Sequence, residues 1–287
     1  MIGLASYRIG RKQKIVRRNI LLYALLGIFS SSTVFPLLWM ISTSLKSGDI
    51  IFQIPPRLLP DSMHWENYAR AVTEINFFIL FKNTAIITFF HLLSDVFVSA
   101  IVAYGFARFQ FPGKNIWFLL VLSTIMLPGE VTMIPVFIGF SEIGWINSFK
   151  PLVIPGFFGG APVFIFLLRQ FFLSIPKELE ESAIIDGAGR FKIFYRMFLP
   201  LSLPALMTIG ILSFQGSWND LLGPLIYLND TDKFTLTLGL SMFKGVMKVE
   251  WGPLMAGSIM ALVPVLVVFL LAQRFFVDGF KLSGIKG

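Results

Sequence analysis

The chain contains no cysteine. A disulfide framework, thiolate zinc sites, iron–sulfur clusters and a cysteine nucleophile are therefore excluded. Histidine is almost as scarce. His64 and His91 are the two present, too far apart for the HExxH arrangement of a zinc hydrolase. No GxxxxGK[ST] phosphate loop occurs: Gly113-Lys114 is followed by Asn115, and Arg108 stands where the loop's first glycine belongs. A GxSxG nucleophile elbow is missing too. Charge is sparse, with Asp, Glu, Lys and Arg forming 14% of 287 residues where a soluble domain carries about 25%. These absences argue against a soluble enzyme and exclude ATP hydrolysis by the usual loop.

Apolar residues fill the chain instead: 55% are hydrophobic, 32 of them Phe, and mean hydropathy is +0.77. A membrane helix needs about 20 mainly apolar residues. Runs of that kind cover 20–42, 84–107, 116–140, 151–168, 200–218 and 253–273. They predict an all-α membrane protein with six transmembrane helices. The fourth run is short and broken by Gly and Pro. Seven prolines lie inside the runs (Pro36, Pro128, Pro135, Pro155, Pro162, Pro204 and Pro264), a number that packed membrane helices tolerate. The first run, at 23 residues, exceeds the apolar core of about 7–15 residues in a cleaved signal, and is expected to stay as an anchor.

Sixteen of the 24 Lys and Arg fall in the N-terminal segment, the second and fourth loops and the tail, against eight in the other loops. The positive-inside rule then predicts both termini in the cytoplasm. The net charge of +8 is topological on this reading, which names membrane lipid as a partner and no nucleic acid.

Inside the runs, Asp95 and Glu130 are the acids, with His91 as a titratable companion. Intramembrane charges mark a pathway or a polar partner. Thr84, Thr88, His91, Asp95 and Ser99 are spaced 4, 3, 4 and 4, one stripe of a helix. Such a stripe either bonds helices together or lines a wet cavity. Glu130 follows Pro128-Gly129, where the third helix is expected to break. Measured along a straight helix from Ile116 it lies about 20 Å in, in the outer half of the membrane. It would touch substrate or cap the broken end. Gln215, Trp218 and Asn219 end the fifth run, where an aromatic face and amides suit sugar, although interfacial Trp is ordinary in membrane proteins.

The most informative loop is 174–200, SIPKELEESAIIDGAGRFKIFYRMFLP. Pro176 suits the first turn of a helix, and Glu178, Glu180 and Glu181 complement its dipole. Leu179, Ala183 and Ile184 offer a short apolar face. Gly187 and Gly189 allow a sharp turn. A second amphipathic piece follows with Phe191, Phe194, Tyr195 and Phe198. Together they predict a rigid helical knob, or an interfacial helix resting on lipid.

The stretch Glu181-Ser182-Ala183-Ile184-Ile185-Asp186-Gly187-Ala188, closed by Leu199-Pro200, resembles the EAA motif of ABC importer permeases; Ser182 replaces the usual Ala. Trp65-Glu66-Asn67-Tyr68, Ala103–Arg108 with Phe111–Lys114, and Leu127–Val131 are similar to the carbohydrate, maltose-type branch. The ending 272–287 resembles its smaller permease. The resemblance implies the type I importer permease fold, with a cytoplasmic segment 1–19, a permease domain 20–273 containing the EAA loop, and a tail 274–287. It implies a transport subunit rather than an enzyme, moving carbohydrate by alternating access. Glu181, Ser182, Ala183, Asp186, Gly187 and Ala188 would dock on a separate ATPase. Ser283, Gly284, Ile285, Lys286 and Gly287 would reach between two ATPases. His91, Asp95, Glu130, Gln215, Trp218 and Asn219 are the substrate-pathway candidates. The implied partners are a second related permease, two ATP-binding subunits that hold ATP and Mg, and an extracytoplasmic solute-binding protein. This chain itself would bind no cofactor or metal. The implied location is the cytoplasmic (inner) membrane of a bacterium or archaeon. An ion-driven carrier is the alternative, against which the EAA loop argues.

Overall fold

The computed structural model describes residues 2–283 apart from Val246 and Met247, with side chains over 18–273. Among the described residues every named element is helical, and the one β pairing is the isolated antiparallel bridge between Lys244 and Val249. Helix α1 (Ile2–Ser44) carries the basic N-terminal segment and the first span without a break. After α2 (Glu66–Thr73), the second span is α3 (Phe77–Leu93), one π turn at Ser94–Val98, and α4 (Ser99–Arg108). It begins at Phe77, ahead of the expected Thr84, because Asn83 is satisfied by the carbonyls of Asp232 and Phe234 at 2.8 and 3.0 Å.

Then come α5 (Lys114–Ser123), α6 (Gly129–Glu142), α7 (Lys150–Val153), α8 (Pro162–Ser174), α9 (Lys177–Ile185) and α10 (Arg190–Ile193). A second π turn, Phe194–Phe198, leads to α11 (Leu199–Leu201), α12 (Leu203–Trp218), α13 (Leu222–Tyr227), α14 (Leu236–Ser241) and α15 (Trp251–Ser283). Four stretches are long and apolar enough to cross a membrane: Arg18–Ser44, Phe77–Arg108, Lys150–Ser174 and Trp251–Gln273. Lys114–Met126 with Gly129–Glu142, and Arg190–Leu201 with Leu203–Trp218, make six if each bent pair is one span.

The bends follow from proline. Leu127 is held extended (φ −81°, ψ 115°), as a residue before proline must be, and α6 then starts at an angle of 99°. A straight-helix depth for Glu130 therefore does not hold. Arg190–Leu201 and Leu203–Trp218 meet at a bend of 77° about Ser202, between Pro200 and Pro204, so the fifth run, expected from Pro200, starts at the bend.

The chain divides into two compact units. The first, Met1–Ala71 with Phe243–Ile259, is tied by Asn67, whose amide donates to the carbonyls of Ser44 (3.0 Å) and Lys46 (2.9 Å). Arg70 pairs with Glu250 in the same unit. The second, Val72–Met242 with Met260–Gly287, is built on α4 against α8. Ala100, Ala103 and Ala107 give α4 a small-residue face on which Ile165, Leu168 and Phe172 pack, the close approach that membrane helices favour. Tyr104 closes this core among Phe172, Phe194 and Phe198, with centroids 6.3, 5.0 and 4.8 Å away.

Candidate functional site

The loop singled out in the sequence forms two short helices joined at a sharp turn. Pro176 is the N-cap residue of α9 rather than part of its first turn. At the other end the Gly187 N–H donates to Ile184 (2.9 Å) and the Ala188 N–H to Ala183 (2.9 Å), a Schellman closure with Gly187 at φ 78°. Gly189 has φ −69°, so the left-handed conformation is needed at Gly187 alone. Glu181, Ser182, Asp186 and Gly187 are exposed together, while Ala183 and Ala188 rest on the core.

The apolar residues of this loop divide between the two sides. Leu179 and Ile184 are exposed, as are Ile185 and Phe191 at 85% and 75%. Of the second piece, Phe194 and Phe198 are buried while Phe191 and Tyr195 face outward, their centroids 5.5 Å apart. The reason is that Glu180 takes the inward position of α9, with 6% of its surface exposed. Its carboxylate accepts from Arg190 Nη1 at 2.6 Å and lies 3.6 Å from Arg108 Nε. Sequence reasoning placed Glu180 with its exposed acidic neighbours and missed this cluster. The signal was Arg108 at the end of an apolar run.

The polar stripe of the second span makes specific bonds. Thr84 accepts from the Leu236 N–H (2.7 Å) and donates to Leu80 O (2.9 Å). Ser217 donates to Thr88 at 3.3 Å, and Ser99 accepts from the Ala161 N–H at 3.0 Å. Asp95, 6% exposed, accepts from Ser213 at 2.7 Å and lies 3.4 Å from His91 Nδ1. The Ser213–Asp95 and Ser217–Thr88 bonds cross between helices, while Thr84–Leu80 and His91–Asp95 stay within one. The π turn starts at Ser94 beside Asp95 and shifts the register so that Ser94, Asp95 and Ser99 are all buried.

Trp218 is not free to stack on a ligand. It is 5% exposed, donates to Ala261 O at 3.1 Å, and packs between Phe214 and Phe81 at 5.3 and 5.4 Å. Gln215 and Asn219 are exposed, the Asn219 amide donating to Gln215 O at 2.8 Å. Glu130 is exposed in the first turn of α6, just past the bend. Thus the pathway candidates separate into buried residues tied inside the unit (Asp95, Trp218) and accessible ones (Glu130, Gln215, Asn219), with His91 half-exposed between them. Of the expected tail contacts, Ser283 ends α15 and Gly284, Ile285, Lys286 and Gly287 lie outside the described residues. Among the described residues no group of three or more His, Cys, Asp or Glu could hold a metal ion.

Apolar helices bent at prolines, bonded across a polar stripe and carrying an exposed helical knob, define a multi-pass membrane protein. The chain belongs to the family described as binding-protein-dependent transport system inner membrane component, whose model matches residues 95–277. It is an integral inner-membrane protein. It is 36% identical to the probable ABC transporter permease protein YurM of Bacillus subtilis (strain 168), over 92% of this chain and 88% of that one. It is 34% identical to the arabinooligosaccharides transport system permease protein AraQ of Halalkalibacterium halodurans, over 88% of this chain and 91% of that one. In the crystal structure of a bacterial ABC transporter involved in import of the acidic polysaccharide alginate, one chain superimposes with a TM-score of 0.79 at 25% identity. The match covers 90% of this chain and 96% of that chain.

Proposed function

We propose that this chain is a permease subunit of an ATP-driven importer for carbohydrate, worked by a separate ATPase through the loop 174–200. The observation that carries the reading is the outward face of α9. Glu181, Ser182, Asp186 and Gly187 stand exposed at a helix fixed by its C-terminal closure, in one short segment with exposed Leu179, Ile184, Ile185 and Phe191. Exposed apolar side chains bordered by polar ones mark a protein-contact surface. ATP and Mg belong to the partner subunits, and the assembly adds a second permease and an extracytoplasmic solute-binding protein. ATP-driven closure of the ATPases moves the docking helices together, and the cavity opens outward. On this reading residues 283–287 supply a contact with the ATPases, and both termini share the cytoplasmic side with α9.

Carbohydrate is supported by the names of the relatives, one of which transports arabinooligosaccharides. Charge does not decide between neutral and acidic sugars, because Asp95 is tied to Ser213 inside the bundle. The accessible pathway residues are Glu130, Gln215 and Asn219.

The test begins with the tagged chain purified in detergent and its partners identified by mass. Recovery of an ATPase, a second permease and a solute-binding protein is expected. In that complex, reconstituted, Glu181→Lys and Gly187→Pro are expected to abolish sugar uptake while ATP hydrolysis and solute binding to the extracytoplasmic protein persist. Unchanged uptake in both variants would sink the docking reading. Uptake by the chain alone, without ATP, would replace it with an ion-driven carrier.

A further inference from the structure

The cluster around Glu180 belongs neither to the docking face nor to the polar stripe. Glu180 lies between exposed Leu179 and Glu181, yet its side chain is 8% exposed and that of Arg108 is 3% exposed. Arg108 is the last residue of α4. Its Nη2 donates to the carbonyls of Phe172 and Ile175, both at 2.6 Å, at the C-terminal end of α8. A cation there also meets the negative end of the helix dipole. The guanidinium lies 4.8 Å from the Phe198 ring, in the π turn that opens the fifth span. The second carboxylate oxygen of Glu180 accepts from Arg190, half-exposed at the start of α10. One acid therefore stands 3.6 Å, in ion-pair range but without a hydrogen bond, from an arginine fastened to the ends of the second and fourth spans, and accepts a hydrogen bond from another at the entry to the fifth.

The other inward contacts of α9 and the turn after it are weak by comparison. Ala183 in α9 and Ala188 in the turn reach the core with a methyl group each, and the longer apolar side chains of α9 are exposed. Methyl contacts resist separation but not sliding. A buried pair of charges has a defined geometry, and moving one partner strands the other in a low-dielectric setting. Replacement of such pairs by apolar residues is often neutral for stability, so stability alone is a poor reason for one here. We propose that Glu180 and Arg108 are positioning residues of the transport cycle. They form a rigid latch that makes the docking helix one body with the ends of the second and fourth spans, so that a push on α9 is delivered to both. This rests on the docking reading above and adds to it the internal route of the force.

The test uses the full reconstituted complex and the variants Glu180→Gln, Glu180→Asp and Arg108→Lys. Glu180→Gln is expected to assemble and to hydrolyse ATP, while sugar moved per ATP falls about tenfold, within the usual range of coupling between sites. Glu180→Asp, which keeps the charge, is expected to recover most of that ratio. The absence of native cysteine permits a second readout. Spin labels at Glu178→Cys and Phe111→Cys are expected to hold one distance through the nucleotide cycle in an otherwise unaltered chain, and a broadened distribution in Glu180→Gln. A normal transport ratio and an unbroadened distribution in Glu180→Gln overturn the latch. So does failure of both Glu180→Gln and Arg108→Lys to accumulate, which makes the pair structural only. If Glu181→Lys and Gly187→Pro transport normally, the docking reading itself has failed. If they uncouple while Glu180→Gln does not, only the latch has failed.

Discussion

Asp95 shows how a single buried acid is made tolerable in a membrane span. Its carboxylate is almost wholly enclosed, with Ser213 donating from the fifth span and His91 one turn away on its own helix. Removing the donor leaves a buried carboxyl group without its partner across the interface. Ser213→Ala is expected to cost about 1–2 kcal/mol, towards the upper end for hydrogen bonds between membrane helices. Ser213→Thr, which keeps the hydroxyl, should cost less. Thermal unfolding of the purified protein in detergent reads the difference, and an alanine variant as stable as the parent would show that the bond contributes nothing. The neighbouring Gly160 is constrained for two separate reasons: its φ is +67°, and a Cβ there would stand 2.6 Å from Ser99 Oγ and 2.9 Å from its backbone nitrogen. Gly159, with nothing within 4 Å of an added Cβ, is the control. Gly160→Ala is expected to destabilise by about 1–3 kcal/mol more than Gly159→Ala, from backbone strain and overpacking together. Equal melting temperatures for the two would refute the close approach of this loop to the π turn.

At the scale of elements, hydropathy and proline account for what could be read in advance. Six apolar runs mark the four long spans and the two bent helix pairs, and the Pro128-Gly129 break announces the 99° bend. The two π turns have no comparable mark, because one extra residue in a turn leaves composition and hydropathy untouched. Their effect is on direction. Beyond the first, Ser99 is aimed at the Ala161 N–H, and within the second Phe198 packs against Tyr104. The inward turn of Glu180 was hidden for a related reason. In a helix of nine residues with three acids near its start, the pattern cannot say which acid faces inward; the position of Arg108, supplied by another span, decides it. The exposed EAA-like face was legible because it is a contiguous motif. The surroundings of Trp218 were not legible, because a tryptophan at the end of a run has the same local sequence whether it faces a cavity or packs between Phe81 and Phe214.

For the whole molecule, orientation is the assumption on which docking depends, and the distribution of Lys and Arg is its sole physical support. A loop can meet a cytoplasmic ATPase only if it lies on the cytoplasmic side, so the two propositions stand or fall together. The lack of native cysteine makes every introduced thiol unique in the chain. Ser62 and Glu142 are exposed in segments assigned to the outside, and Lys192 is exposed in the loop assigned to the inside. In intact spheroplasts, a membrane-impermeant maleimide is expected to label Ser62→Cys and Glu142→Cys. Lys192→Cys should react only after the membrane is opened. The reverse pattern would invert the protein and remove α9 from the reach of any cytoplasmic motor, whatever its sequence resembles. The expected pattern would place the latch between Glu180 and Arg108 on the cytoplasmic side, where an ATPase-driven push could enter the bundle through charge as well as through methyl contacts.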